Sequence, residues 1–317
     1  MNKVSECLNM YKNKLNIYHA KKAVGIIFRT VVLIGLGFMI LYPIIVKITT
    51  AFKSYEDLYD PTVVFIPKNF TLSNFRILWN TVDYPKLLIS TIGITFLIAF
   101  LQTVSCTLVS YGFARFDFIG KKLFFAFAII TLIIPPQAIL LPIYMKFRFF
   151  NPFQMFTFWG ELTGISLIDT LWPQVLLSVG AVGFKNGLYI YLLRQHFTNM
   201  PKAIEEAAYV DGCNRFKTFW RVMLPGATSM ITTVFLFSFV WTWNDYYYNS
   251  VLSPHLNVMA NKLMGLSFSS MGSLAGSLLS STSSAPKYLL HILPLVILYA
   301  FAQKFFTQSI EKSGIVG

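Results

Sequence analysis

Six long apolar stretches dominate the chain, at residues 23–46, 87–109, 123–144, 171–193, 226–252 and 288–306. Each supplies close to the roughly 20 mainly apolar residues that a helix needs to cross a hydrocarbon core about 30 Å thick. The expected fold is all-α and integral to a membrane: one domain of six transmembrane helices over residues 23–306, between an N-terminal tail (1–22) and a C-terminal tail (307–317). Composition agrees, since 55% of the residues are hydrophobic and 12% charged, against about 25% charged in an ordinary soluble domain. No internal repeat is evident.

The formal charge of +13 is spread between the apolar stretches rather than gathered into one stripe, so it speaks for topology and against a nucleic-acid partner. Lys3, Lys12, Lys14, Lys21 and Lys22 precede the first stretch. Arg115, Lys121 and Lys122 follow the second, and Arg194, Lys202, Arg215, Lys217 and Arg221 follow the fourth. By the positive-inside rule these segments face the cytoplasm, which puts both termini inside. On the other side, Lys47, Lys53, Lys68, Arg76 and Lys86 are accompanied by Glu56, Asp57, Asp60 and Asp83. The basic segment 1–22 lacks a small-residue cleavage pattern, so the first stretch is expected to be retained.

Catalytic and metal chemistry find little support. Cys7, Cys106 and Cys213 are widely spaced and form no CxxC pair. His19, His196, His255 and His291 are scattered, and acidic residues are nearly absent from the apolar stretches. No GxxxxGK[ST] phosphate loop occurs, so the chain is expected not to be an enzyme and to hold no cofactor of its own. A membrane enzyme or a scaffold remains the weaker alternative.

The most informative polar segment is EAAYVDGCNRFKTFWRVMLP, residues 206–225, placed by the charge pattern on the cytoplasmic side. Pro201 suits the first turn of a helix, Glu205 and Glu206 favour its positive end, and Gly212 ends it. Ile204, Ala207, Ala208 and Asp211 share a face that the alanines make flat enough for another protein to approach. A second helix, capped by Asn214, runs to Leu224 and Pro225, with Phe216, Phe219, Trp220 and Met223 as its apolar face. On physics alone, an interfacial hairpin packed under the membrane and a docking element stand about even.

The spacing Glu206, Ala207, Ala208, three residues, Gly212, nine residues, Val222, one residue, Leu224, Pro225 resembles the EAA loop of importer permeases of the ATP-binding cassette (ABC) class, with Val222 where Ile is usual. YGFARFDFIGKK (111–122), IPPQAILLPIY (134–144), Trp243-Asn244-Asp245 and the end 303–317 resemble the carbohydrate-uptake, maltose-transporter branch, and in particular its six-span partner. GFKNGL (183–188) departs from a frequent Pro-Phe pair, and the tail SGIVG lacks a lysine usual before the last glycine. The resemblance implies a permease subunit of an ATP-driven carbohydrate importer, its cargo an oligosaccharide, in a bacterial or archaeal cytoplasmic membrane. It implies a second homologous permease, two ATPase subunits that hold ATP and Mg, and an extracytoplasmic solute-binding protein. A sugar phosphate or polyol ester is the alternative cargo. The residues assigned to ATPase coupling are Glu205, Glu206, Ala207, Ala208, Asp211, Gly212, Leu224 and Pro225. Segment 201–212 is expected to meet the ATPase and 216–223 to pack back under the membrane.

Polar residues within the apolar stretches are candidates for a substrate pathway. Lys185 lies well inside the fourth, where an ionised side chain costs about 2.5–3.5 kcal/mol unless it faces protein or water; snorkelling from a broken helix is the competing role. Asn244 lies eighteen residues beyond Gly226, about 27 Å along a helix. With Trp241, Asp245 and Tyr246 it suits an outer gate or sugar contact, and equally an aromatic belt with a capped helix end. The aromatic segment FRFFNPFQMFTFW (147–159) reads as an interfacial or receptor-facing element, and 267–284 as a Ser- and Gly-rich connection.

Overall fold

The computed structural model describes residues 2–152, 164–266 and 284–303, with side chains from residue 21 onward. Most of the aromatic segment 147–159, nearly all of 267–284 and the tail 307–317 lie outside the described residues. The chain divides into two compact units, 1–76 with 271–289 and 77–270 with 290–317.

In the first unit, α1 (Asn2–Ala51) is one continuous helix. The basic segment 1–22 is therefore helical from Asn2 and runs without interruption into the first apolar stretch. None of the most apolar window of Lys21–Ala51 is buried within the chain, and Phe28, Val32, Leu36 and Met39 are all exposed. A helix apolar all round needs lipid or another protein around it. Beyond it, α2 (Tyr55–Tyr59) and the start of α3 (Ser73–Thr81) build a folded loop. Lys53 is buried and donates to the carbonyls of Val63 (2.6 Å) and Val64 (2.9 Å). Asn74 donates to Lys53 O at 2.9 Å and to Ala51 O, the last carbonyl of α1, at 3.3 Å. Lys68 pairs with Asp60 at 2.6 Å.

The second unit is organised around α4 (Tyr84–Arg115), which packs against α7 (Trp172–Val179), α8 (Asn186–Asn199) and α11 (Thr228–Trp243). Thr91, Thr103, Thr107 and Ser110 are buried on α4, and each hydroxyl donates to the carbonyl four residues back, so none is stranded in an apolar interior. Cys106, Tyr189, Ile190, Leu193, Phe197, Met223 and Val234 form the core between these helices. Gly187 on α8 permits the closest approach: a Cβ there would stand 2.4 Å from Ala128 O and 2.5 Å from Thr131 Oγ1.

Several expected spans are broken. The third becomes α5 (Lys121–Ile133) and α6 (Pro136–Arg148), bent by 108°, because Pro135 and Pro136 force Ile134 and Pro135 into extended backbone. The fourth is divided into α7 and α8 between Gly180 and Lys185, where Ala181 adopts φ 53°. Of the two glycines that sequence associates with a break here, Gly183 lies in it, whereas Gly187 lies inside α8 and serves packing instead. The fifth begins with a 74° bend between α10 (Arg215–Gly226) and α11; α12 (Tyr247–Leu252) and α13 (Met259–Met264) follow it. α14 is Ser284–Gln303. Among the described residues, three helices are long and apolar enough to cross a membrane, or up to five if each bent pair is one span.

Candidate functional site

Two groups of residues stand out, one at the C-terminal ends of α4 and α8 and the other beside the middle of α4 and the start of α8. At one end, α9 (Lys202–Val210) is followed by Gly212 at φ 80° and then by α10. Gly212 N donates to Tyr209 O (3.0 Å) and Cys213 N to Ala208 O (2.9 Å), the paired bonds of a Schellman stop that requires a left-handed residue. The Asn214 side chain then accepts from Lys217 N at 2.8 Å and starts α10. Helix, stop and second helix lie where Pro201, Gly212 and Asn214 are expected to put them.

The faces differ from expectation. Glu205 and Ala208, three residues apart, are buried, while Ile204, Glu206, Ala207, Val210 and Asp211 are exposed. The two alanines therefore do not form one flat surface: Ala208 seats α9 on its own chain and Ala207 faces outward. Likewise Phe219 and Met223 are buried as expected, but Phe216 and Trp220 are exposed. Leu224 and Pro225 stand away from the α9 surface and line, with Trp220, Phe219 and residues of α4 and α11, an apolar groove of about 610 Å³.

Glu205 is held from α4. Its Oε1 lies 3.3 Å from Arg115 Nε and accepts from the Tyr111 hydroxyl at 3.2 Å. Arg115 also donates to Met200 O at 2.8 Å, an end carbonyl of α8. Sequence reasoning treats Arg115 only as a topological charge. Its place beside Tyr111 one helical turn away was the available signal.

The second group surrounds a cavity of about 220 Å³ lined by Gln102, Phe184, Lys185, Tyr189, Trp241, Thr242, Asn244, Asp245 and Tyr248. Four of the five pathway candidates, Lys185, Trp241, Asn244 and Asp245, thus converge; Tyr246 does not line this cavity. Lys185 Nζ stands 5.0 Å from the Trp241 ring centroid, and Phe184 stacks on Tyr248. Asp245 Oδ1 accepts from Tyr248 N at 3.1 Å, so this carboxylate both caps α12 and faces the cavity. Asn244 Oδ1 meets His291 Nε2 at 3.2 Å. Trp243 is buried and donates to His291 O at 3.2 Å, a packing role. Among the described residues, the buried Tyr248 hydroxyl has no hydrogen-bond partner. Gln102, bonded to the Ser238 hydroxyl, was missed, although it is the only side-chain amide in the second apolar stretch and an intramembrane polar group is a functional signal.

A cavity walled by aromatic side chains and a few polar ones, on helices that also meet a hairpin with an exposed apolar and acidic face, suits transport rather than bond chemistry. The model of the family "Binding-protein-dependent transport system inner membrane component" matches residues 106–312, more than half of the chain. The chain belongs to this family. As a member it is a transport subunit of a membrane and not an enzyme; ATP hydrolysis in such systems belongs to separate ATPase subunits. Among its relatives, the maltodextrin transport system permease protein of Streptococcus pneumoniae is 26% identical, the alignment covering 90% of this chain and 93% of that one. The polygalacturonan/rhamnogalacturonan transport system permease protein of Bacillus subtilis is 24% identical, over 89% of this chain and 96% of the other. A bacterial ABC transporter involved in the import of the acidic polysaccharide alginate superposes with a TM-score of 0.67 and 21% identity, over 88% of this chain and 95% of that chain, a likeness of fold.

Proposed function

We propose that the chain is the six-span permease subunit of an ATP-driven importer of an oligosaccharide, with the broken pair α7 and α8 counted as its fourth span and both termini in the cytoplasm. It works with a second homologous permease, two ATPase subunits that bind ATP and Mg, and an extracytoplasmic solute-binding protein. Residues 23–306 are the membrane-embedded part, surrounded by lipid.

The observation that carries this reading is the hairpin of α9 and α10. An isolated loop with Ile204, Val210 and Phe216 exposed beside Glu206 and Asp211 leaves apolar area in water, which a partner's cleft would cover. Glu206, Ala207, Asp211 and Gly212 form the coupling surface, with Glu205 and Ala208 holding it in place. Closure of the two ATPases on ATP moves the docked α9 helices together and rocks the spans between inward-open and outward-open states.

The cavity beside Trp241 and Lys185 is the contact for one sugar ring. Aromatic faces suit the apolar side of a ring, and Gln102, Asp245 and the Tyr248 hydroxyl suit its hydroxyls. Lys185 alone would favour a sugar phosphate; Asp245 in the same wall opposes it. Association of the ATPase with Glu206→Lys and Gly212→Pro variants in a purified complex tests the assignment, and unchanged association and uptake in both would overturn it.

A further inference from the structure

Glu205 is not part of the exposed surface of α9, because this carboxylate is buried on the other side of the helix. The side chains of Arg115 and Glu205 are 6% and 11% exposed. Arg115 Nε lies 3.3 Å from Glu205 Oε1, which also receives the Tyr111 hydroxyl at 3.2 Å, and the Arg115 guanidinium reaches Met200 O at 2.8 Å. One arginine thus joins the end of α4 to the end of α8 and to α9. Breaking a pair buried to this degree strands a charge in a poorly solvated site, so the three helices are held together here.

From this joint α4 is bonded to its neighbours at successive levels. Ser110 Oγ donates to Ile190 O at 3.1 Å and Ser105 Oγ to Ser178 O at 2.6 Å. Gln102 is bonded to the Ser238 hydroxyl and lines the cavity. Gln102 and Arg115 are thirteen residues apart on one unbroken helix, about 20 Å. α8 likewise runs unbroken from the joint to the cavity, where Tyr189 lines the wall and the helix starts after Lys185, whereas α10 meets α11 through a bend of 74°. Arg115 is a residue of α4 itself, and α4 carries both the joint and the hydrogen-bonded Gln102 on one helix.

We propose that Arg115, Tyr111 and Glu205 form a fixed joint that passes displacement of α9 into α4, and through Gln102 to the cavity. Arg115 and Glu205 are then positioning residues for transport. This rests on the reading of α9 as the coupling helix.

The test uses the full reconstituted complex, with maltodextrin among the sugars assayed and the receptor present, and measures sugar moved per ATP hydrolysed. In assembled complexes, Arg115→Gln and Glu205→Gln each lower that ratio about tenfold, and the double variant is no worse than the worse single one, as expected of one shared interaction. Arg115→Lys, which keeps the charge, recovers part of the loss. A wild-type ratio in both single variants, or losses that multiply in the double, overturns the proposal. Should the Gln variants fail to assemble, Tyr111→Phe decides: it removes one hydroxyl, a ratio lowered about two- to threefold supports the joint, and an unchanged ratio overturns it. Failure of the coupling reading is distinguishable, because it appears as normal ATPase association and uptake in Glu206→Lys whatever the Arg115 variants do.

Discussion

The ammonium of Lys185 stands 5.0 Å above the ring centroid of Trp241, at the gap between α7 and α8. Among the described residues no carboxylate lies within ion-pair distance of it. Both side chains line the cavity that also holds Asp245. A cation on an aromatic ring at a partly desolvated site is worth about 1–2 kcal/mol. Replacing Lys185 by Met keeps the length of the side chain and removes its charge. Half-saturation of uptake in proteoliposomes is expected to rise about five- to thirtyfold, with the amount of assembled complex unchanged. An unaltered half-saturation would place Lys185 outside the sugar path.

Gly187 tests the packing that makes this arrangement possible. A Cβ there would meet Ala128 O at 2.4 Å and Thr131 Oγ1 at 2.5 Å, and the first is backbone that moves only with α5. Gly187→Ala is expected to cost about 1–3 kcal/mol, the usual range for an overpacked contact. Gly183→Ala, whose Cβ would meet only the amides of Asn186 and Gln102 at 3.2 Å, is expected to cost less. Thermal unfolding of the two variants in detergent checks the order.

These contacts show where sequence reasoning stops. The helical hairpin was legible because its signals are local: Gly212 takes the left-handed stop, Asn214 caps the next helix, and both lie in a fixed spacing. The breaks at Pro135 and Pro136 follow from the same local sterics. Glu205 and Arg115 were not paired in advance, since they lie 90 positions apart and each has an adequate role without the other. Phe216 and Trp220 illustrate a different limit. A helical period identifies an apolar face, but periodicity is the same whether the surface covering it belongs to the same chain or to another. The cavity was half legible: its charged and aromatic members stand out within apolar stretches, whereas Gln102 and Tyr248 enter it only through the packing of α4 and the turn into α12.

Gly212 separates backbone from side-chain requirements. Nothing lies within 4 Å of a Cβ built there, but its φ is 80°. Gly212→Ala therefore meets no clash and bears only the left-handed penalty, about 1–2 kcal/mol. Gly212→Pro cannot adopt that φ and also removes the N–H given to Tyr209 O. Retention of the ATPase on immobilised complex is expected to fall by about thirtyfold at most in the alanine variant and to vanish in the proline variant. Equal retention by both would mean that the stop does not position the docking face.

The loop before α7 provides a pH prediction. Asp169, at φ 66°, accepts the backbone N–H of His255 at 2.9 Å and the imidazole Nδ1 at 2.8 Å. These hydrogen bonds, the backbone one first, hold its carboxyl below the usual carboxylate range. A carboxyl with a lower pKa folded than unfolded stabilises the fold fully above its unfolded value of about 3.9, and that contribution disappears as pH falls through the folded value. The pair is exposed, so the effect is small. Asp169→Asn keeps an acceptor for the backbone N–H, tolerates the left-handed φ and cannot ionise. The wild-type chain is expected to unfold at a higher temperature than this variant at neutral pH, and the gap should close as pH is lowered from about 5 to about 3. A gap that stays constant across that window would show that the ionised Asp169 contributes nothing to holding the loop.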